Sequence, residues 1–338
     1  MREGITVAGN LIVDITYPIE RWPEESELTT ITSAPRLSIG GAVGNTISDL
    51  ARLDPALPLR ALGIIGQDGE GLFILDQMKR YPNIDLSGLC TNGRTSFTAV
   101  MSDNETKKRT FFQYRGSNAD FDESFIDFSS LNSRIFHIGY ILLLDALDQE
   151  DAEYGTKMAR LLHDARESGL KTSIDLVSES GDRYRRLVLP ALKYTDYCVI
   201  NELEAERSTL VPLRDDAGRL LTGNMPKALT AMRDAGVSVW AVIHCPEGSY
   251  GMDESGRYVA LPSLRLPKGY IKGTVGAGDA FCAGVLLGAH NGYSLEKAME
   301  CGVCSAAASL SMPGGSEGVG TLEDVLKLKK RYAVGLSD

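Results

Sequence analysis

Gly273-Thr274-Val275-Gly276-Ala277-Gly278-Asp279-Ala280-Phe281 is a glycine-rich turn that runs directly into a helical pattern over residues 279–290. Glycines let the backbone approach a bound group closely. The unpaired N–H groups of a helix's first turn point at whatever lies above them, so such a turn attracts anions. Asp279 puts a carboxylate beside that anion site, which suits a pure phosphate cradle badly because like charges repel. It suits a general base that takes a proton from a hydroxyl attacking a phosphoryl group. Two other phosphate loops fail on the residues: a dinucleotide fingerprint needs a third small residue where Phe281 stands, and a Walker loop needs Gly-Lys-Ser/Thr. A glycine-rich helix start that binds nothing accounts for Gly276 and Gly278, but for Asp279 only through the helix dipole.

Upstream of this turn, strand-like runs occur at residues 5–7, 59–65, 135–138, 172–176, 197–200 and 239–243. The clearest intervening helical patterns cover 70–80, 151–168, 202–209 and 226–235. That alternation predicts an α/β fold, a doubly wound, mainly parallel sheet flanked by helices. Residues 95–101 and 109–115, around the polar tip 102–108, read instead as a hairpin outside the main sheet. With residues 11–16 and 27–37 they predict a small β-sheet lid, formed by roughly 11–37 and 95–118, on a single domain spanning residues 1–338. A lid beside a phosphate site excludes water and protects a phosphoryl donor from hydrolysis. A second hairpin, 249–252 with 257–261, extends the sheet edge, and helical patterns at 294–310 and 321–331 end the chain. Small residues dominate residues 279–310, which reads as close helix packing.

The 338 residues carry 45 acidic and 35 basic side chains, a formal net charge of −10. That balance argues against a nucleic-acid backbone or an anionic membrane as the partner and favours small molecules. No apolar run is long enough to span a bilayer, and the chain passes at once into strand-like sequence, so a cytoplasmic protein is expected. Six scattered cysteines do not suggest a disulfide framework. Cys301-Gly302-Val303-Cys304 has redox-motif spacing but lacks a second pair and sits in a small-residue helical pattern, so both read as core thiols.

Three separated motifs together resemble the ribokinase-like (PfkB) carbohydrate kinases. Thr274, Gly276, Ala277, Gly278 and Asp279 match that family's Asp-Thr-x-Gly-Ala-Gly-Asp signature; Ser38-Ile39-Gly40-Gly41-Ala42-Val43-Gly44-Asn45-Thr46 is similar to its Gly-Gly-x-x-x-Asn element; Asn201-Glu202-Leu203-Glu204 is similar to its Asn-x-x-Glu. The resemblance implies that Asp279 is the catalytic base, with the amides of Gly276, Ala277 and Gly278 as the anion hole. It implies that Asp14, Gly40, Gly41, Asn45, Asn10 and Arg115 face the substrate. It places Thr274, Gly276 and Gly278 toward ATP, and Asn201 and Glu204 around Mg2+, largely through water. Taken alone, Asn45 and Asn201 also read as helix caps and Arg115 as a solvated surface side chain. The family's first Asp is replaced by Gly273, so the resemblance does not extend to a monovalent-cation site. Asp175 ends a strand at the edge where α/β sheets place ligands. His244 and Cys245 stand where the family has a different loop, and His244 reads as a hydrogen-bonded loop residue.

The expected function is ATP-dependent phosphorylation of a hydroxyl on a small sugar or sugar acid. The alternatives are a nucleoside kinase, or a catalytically weak sugar- or nucleotide-binding sensor of the same fold. The lid offers a homodimer surface.

Overall fold

A computed structural model describes residues 2–106, 108–178, 181 and 183–332; Lys107, in the expected hairpin tip, lies outside the described residues. The main sheet has ten strands. Its order is Tyr258–Pro262, Gly248–Met252, Trp240–Cys245, Tyr197–Asn201, Lys171–Leu176, Ile135–Ile141, Ile5–Gly9, Leu59–Ile65 and Ile84–Asp85, with Leu89–Thr91 also pairing with Leu59–Ile65. Every pairing from Trp240–Cys245 to the Leu59–Ile65 edge is parallel, and only the 248–262 hairpin is antiparallel. The expected mainly parallel sheet and its hairpin edge are both present.

Alternate residues of each strand feed opposite layers, as a period of two requires. Ile5, Val7 and Val199 join Val43, Ile47, Phe281 and Met299 on one face, whereas Ala8, Cys198 and Ile200 join Phe136, Leu162 and Leu229 on the other. On the first face, helices Ala277–His290 and Leu295–Ser309 cross so closely that a Cβ on Gly288 would stand 2.6 Å from Cβ of Ala298. The small-residue pattern is therefore core, and Cys301 and Cys304 are buried free thiols within it.

Several local expectations need correction. The helix expected over 151–168 is Lys157–Glu167, because Glu150–Asp151 and Gly155–Thr156 form a short antiparallel pair. Asp151 closes that turn by accepting from the amides of Glu153 and Tyr154, and Thr156 caps the helix. The strand expected over 27–37 is confined to Arg36–Gly40, with a single bridge between Ile19 and Ile31 before it. Helix Gly41–Leu53 was hidden by its glycine-rich start, and Tyr184–Leu192 by Pro190 in its last turn.

A separate four-stranded sheet has the order Arg36–Gly40, Ile12–Ile19, Phe97–Asp103, Arg109–Tyr114. Its hairpin pairs Phe97 with Tyr114 and Ser102 with Arg109. Asp103 fixes the turn by accepting from the amides of Glu105 and Thr106. Pleat alternation and register put Asp14, Thr16, Ser38, Arg36, Val100, Phe111 and Arg109 on one face, and all seven line one cleft. Leu37, Phe112 and Tyr114 are exposed, and Trp22 stacks on Phe112 at 6.3 Å between ring centroids. No helix among the described residues is long and apolar enough to cross a membrane.

Candidate active site

The turn at 273–278 sits at the carboxyl edge of the sheet, between two clefts. Gly276 is the N-cap of helix Ala277–His290 with φ +77°, a left-handed conformation that glycine adopts without penalty, and a Cβ there would stand 2.5 Å from Cα of Gly315. A Cβ on Gly273 would lie 2.8 Å from the Pro313 carbonyl oxygen, so the 312–315 loop fills the space that a side chain at 273 would need.

Asp279 lies in the helix's first turn and is buried. Its Oδ2 accepts from Nδ2 of Asn45 at 3.0 Å, and its Oδ1 accepts from the Tyr140 hydroxyl at 2.7 Å. Burial raises its pKa to about 6, and those two hydrogen bonds oppose the rise. The carboxylate is thus held in one orientation and stays mostly ionised at neutral pH, as a base requires. Asn45 is the fifth residue of its helix, so its reading as a cap is wrong: its Nδ2 donates to Asp279 instead.

On one side of the turn, Val275, Pro313, Gly314, Gly315 and Glu317 face the small sheet across a cleft of about 190 Å³. Asp14 stands at its root. Burial raises the Asp14 pKa to about 6; a hydrogen bond from Thr98 and the charge of Arg109 pull it down, while the charge of Asp279 adds to the rise. Both polar side-chain atoms of Asn10 are buried and without a hydrogen-bond partner. Gly41, at φ +81°, lies against them: a Cβ there would stand 2.7 Å from Asn10 Oδ1, and one on Gly40 would stand 2.5 Å from Asp14 Oδ2. The two glycines therefore let the backbone pass close to Asn10 and Asp14; Asp14 lines the cleft, and Asn10, buried behind it, keeps hydrogen-bonding capacity to offer a polyol.

Arg115 does not join this cleft. Its guanidinium donates to the Leu142 carbonyl at 3.2 Å and lies 3.9 Å from Asp145, because the chain turns at the root of the small sheet and carries the side chain toward residues 142–145. The arginines that line the cleft are Arg36 and Arg109.

On the other side, Thr274, Ala277 and Gly278 line a cleft of about 540 Å³ together with Asn201, His244, Phe281, Ala307 and Leu310. Asn201 and Glu204 form a capping box: Asn201 Oδ1 accepts from the Glu204 amide and Glu204 Oε2 from the Asn201 amide, each at 2.9 Å. Ser178 donates its hydroxyl to Glu204 Oε1 at 2.9 Å. Burial raises the Glu204 pKa to about 7 against those hydrogen bonds, and Asp175 is also raised, by burial and then by the charges of Asp279 and Glu204. An all-oxygen donor set beside buried, mutually repelling carboxylates fits a hard dication. Glu204 is buried outside the cleft lining, with each oxygen accepting one hydrogen bond, which suits contact through water.

His244 is a strand residue and not part of a loop; its ring lies 5.0 Å from that of Phe281, beneath Gly278, and burial lowers its pKa to about 4. Next to it, Glu247 is fixed by Arg214, which also binds Glu202 at 2.7 Å, tying the 245–248 turn to helix Glu202–Thr209. Tyr140, Ser178 and Arg214 were missed by the sequence reading. Nothing local marks them, since each acts on a partner at least 12 positions away.

Matches to known proteins show the family and the fold. A model of the pfkB family carbohydrate kinases matches residues 3–321. A nucleoside kinase of Methanocaldococcus jannaschii is 24% identical over 336 residues, covering 98% of each chain. The crystal structure of a Thermotoga maritima ribokinase superposes with a TM-score of 0.78 at 19% identity, covering 97% of this chain and 99% of that one. Arabidopsis thaliana ribokinase complexed with ribose and ATP gives 0.76 at 18%, covering 98% and 99%. The chain belongs to the pfkB family of carbohydrate kinases and is a sugar kinase of ribokinase-like fold.

Proposed function

We propose that this protein transfers the γ-phosphoryl group of ATP to a hydroxyl of a small sugar or sugar acid, with Asp279 as the general base. The observation that carries the reading is the position of Asp279, fixed by Asn45 and Tyr140 on a turn whose residues line both clefts. The acceptor enters the smaller cleft, where Asp14 and Asn10 accept and donate hydrogen bonds to its hydroxyls and Gly40 and Gly41 leave room for it. The nucleotide lies in the larger cleft, with Thr274 and Gly278 toward its phosphates. Asp279 takes the proton of the attacking hydroxyl. The amides of Gly276, Ala277 and Gly278 at the helix start stabilise the charge gathering on the phosphoryl oxygens.

Magnesium, held through water by Asn201 and Glu204, would neutralise phosphate charge. The small sheet acts as a lid on one domain. Its register aims a polar face at the cleft, and the exposed Leu37, Phe112, Tyr114 and Trp22 suit a homodimer contact. The six free cysteines suit a cytoplasmic setting.

Coupled ADP release with Mg2+, ATP and a panel of sugars and sugar acids tests the reading. Acceptor-dependent ADP that disappears in Asp279→Asn is the expected result. Acceptor binding with no turnover on any panel member contradicts it.

A further inference from the structure

We propose that the acceptor carries an anionic group, carboxylate or phosphate, bound by Arg36 and Arg109 at the end of the smaller cleft remote from Asp279. The inference rests on the kinase reading above and names the acceptor's charge.

The register of the small sheet sets out the charges along the cleft. Asp14 pairs with Ser38 and Thr98; Thr16, on the same face, pairs with Arg36; Pro18, next on that face, pairs with Ser102, which pairs with Arg109. At about 3.3 Å of rise per residue, the two arginines leave the backbone about 7 and 13 Å further out than Asp14. A hydroxyl end placed at Asp14 and Asp279 therefore turns the other end of a small acceptor toward the two arginines that line the cleft. Val100 and Phe111 supply an apolar wall between these ends.

Among the described residues, neither Arg36 nor Arg109 makes a hydrogen bond or a close ion pair, although acids outnumber bases 45 to 35 in this chain; the charge of Arg109 acts on Asp14 only at longer range. Arg160, Arg214 and Arg257 are each engaged by carboxylates. Guanidiniums that line a cleft with their hydrogen-bond donors unused suit a carboxylate or phosphate, which each can bind with two parallel hydrogen bonds. Glu317, on the facing loop, is the competing partner: closure of the small sheet onto that loop would instead make the arginines a latch.

The experiment measures coupled ADP release, with Mg2+ and ATP, on matched acceptors: a sugar, its aldonic or keto-deoxy acid, and its phosphate monoester. The expected result is kcat/KM about 100-fold higher for an anionic member than for its neutral parent. Arg36→Gln and Arg109→Gln should each lower that ratio about tenfold, through KM for the acceptor. Whether the acid or the phosphate ester leads identifies the anion. A neutral parent used as well as its anionic partners overturns the inference and leaves the kinase reading standing. Equal losses on neutral and anionic acceptors in the two variants overturn it in favour of the Glu317 latch. ATP binding without ADP release from any acceptor overturns both readings.

Discussion

The Tyr140 hydroxyl donates to Oδ1 of Asp279 at 2.7 Å, joining a strand end of the sheet to the first turn of a helix 139 positions later. With Asn45 on the other oxygen, it fixes the plane of the carboxylate and opposes the rise in pKa that burial causes. With Asp279 as the base proposed above, catalytic power and pH range would depend on residues outside the glycine-rich turn.

Asp279→Asn removes the base while keeping the shape and the turn. We expect kcat to fall about 10²–10⁴-fold, the usual share of general-base catalysis, with little change in the affinity for ATP. Steady-state ADP release together with nucleotide titration checks both parts. A variant within a few-fold of the parent would remove Asp279 from the mechanism.

Activity should fall as pH drops through about 6, where Asp279 takes up its proton. Tyr140→Phe deletes a hydrogen bond that favours the ionised form, so the acid limb of kcat/KM should move to higher pH. The loss should be several-fold at pH 6 and smaller at pH 8. A limb that stays in place would mean that another group sets it.

Folding without ligands should become less favourable as pH rises from about 4.5 to 7. Asp14 and Asp279 near 6, Glu204 near 7 and Asp175 are all raised, so the folded chain binds more protons than the unfolded chain in that window. Their contribution is present below the unfolded pKa values and is lost as pH climbs through the folded ones. Melting curves across pH 5–7.5 should show this slope flattened in Glu204→Gln. Magnesium with ATP should raise Tm most at the upper end. An identical slope in that variant would count against a buried, ionising Glu204.

Gly276→Ala should cost about 1–3 kcal/mol for the left-handed conformation alone, before the overlap with Gly315 is relieved. Tm should fall by several degrees and kcat should fall with it, since relief moves the amides above Asp279. Gly69→Ala is the control: nothing lies within 4 Å of a Cβ there. Equal effects at the two positions would show that the turn tolerates movement.

The alternation of apolar strands and amphipathic helices is a local property with a fixed period, so the parallel sheet, its hairpin edge and seven of its helices were legible in residues 59–65, 202–209 and their counterparts. The three motifs were legible too, through their resemblance to a family's, because a glycine-rich turn, a capping pair and a Gly-Gly pair are short stretches whose backbone needs dictate residue type. What the tertiary structure decided was pairing across distance. Asn45 is no cap because its helix starts four residues earlier, and packing of distant elements brought its amide to Asp279. Arg115, which had the right charge and neighbourhood in sequence, was drawn to Leu142 and Asp145, whereas strand register brought Arg36 and Arg109 to the cleft. Tyr140, Ser178 and Arg214 carry no local pattern, since a single side-chain hydrogen bond constrains neither the periodicity nor the composition around it. Local sequence determined which elements form and which turn holds the acid; only the packing of distant elements decided which side chains hold that acid in place and which charges line the cleft beside it.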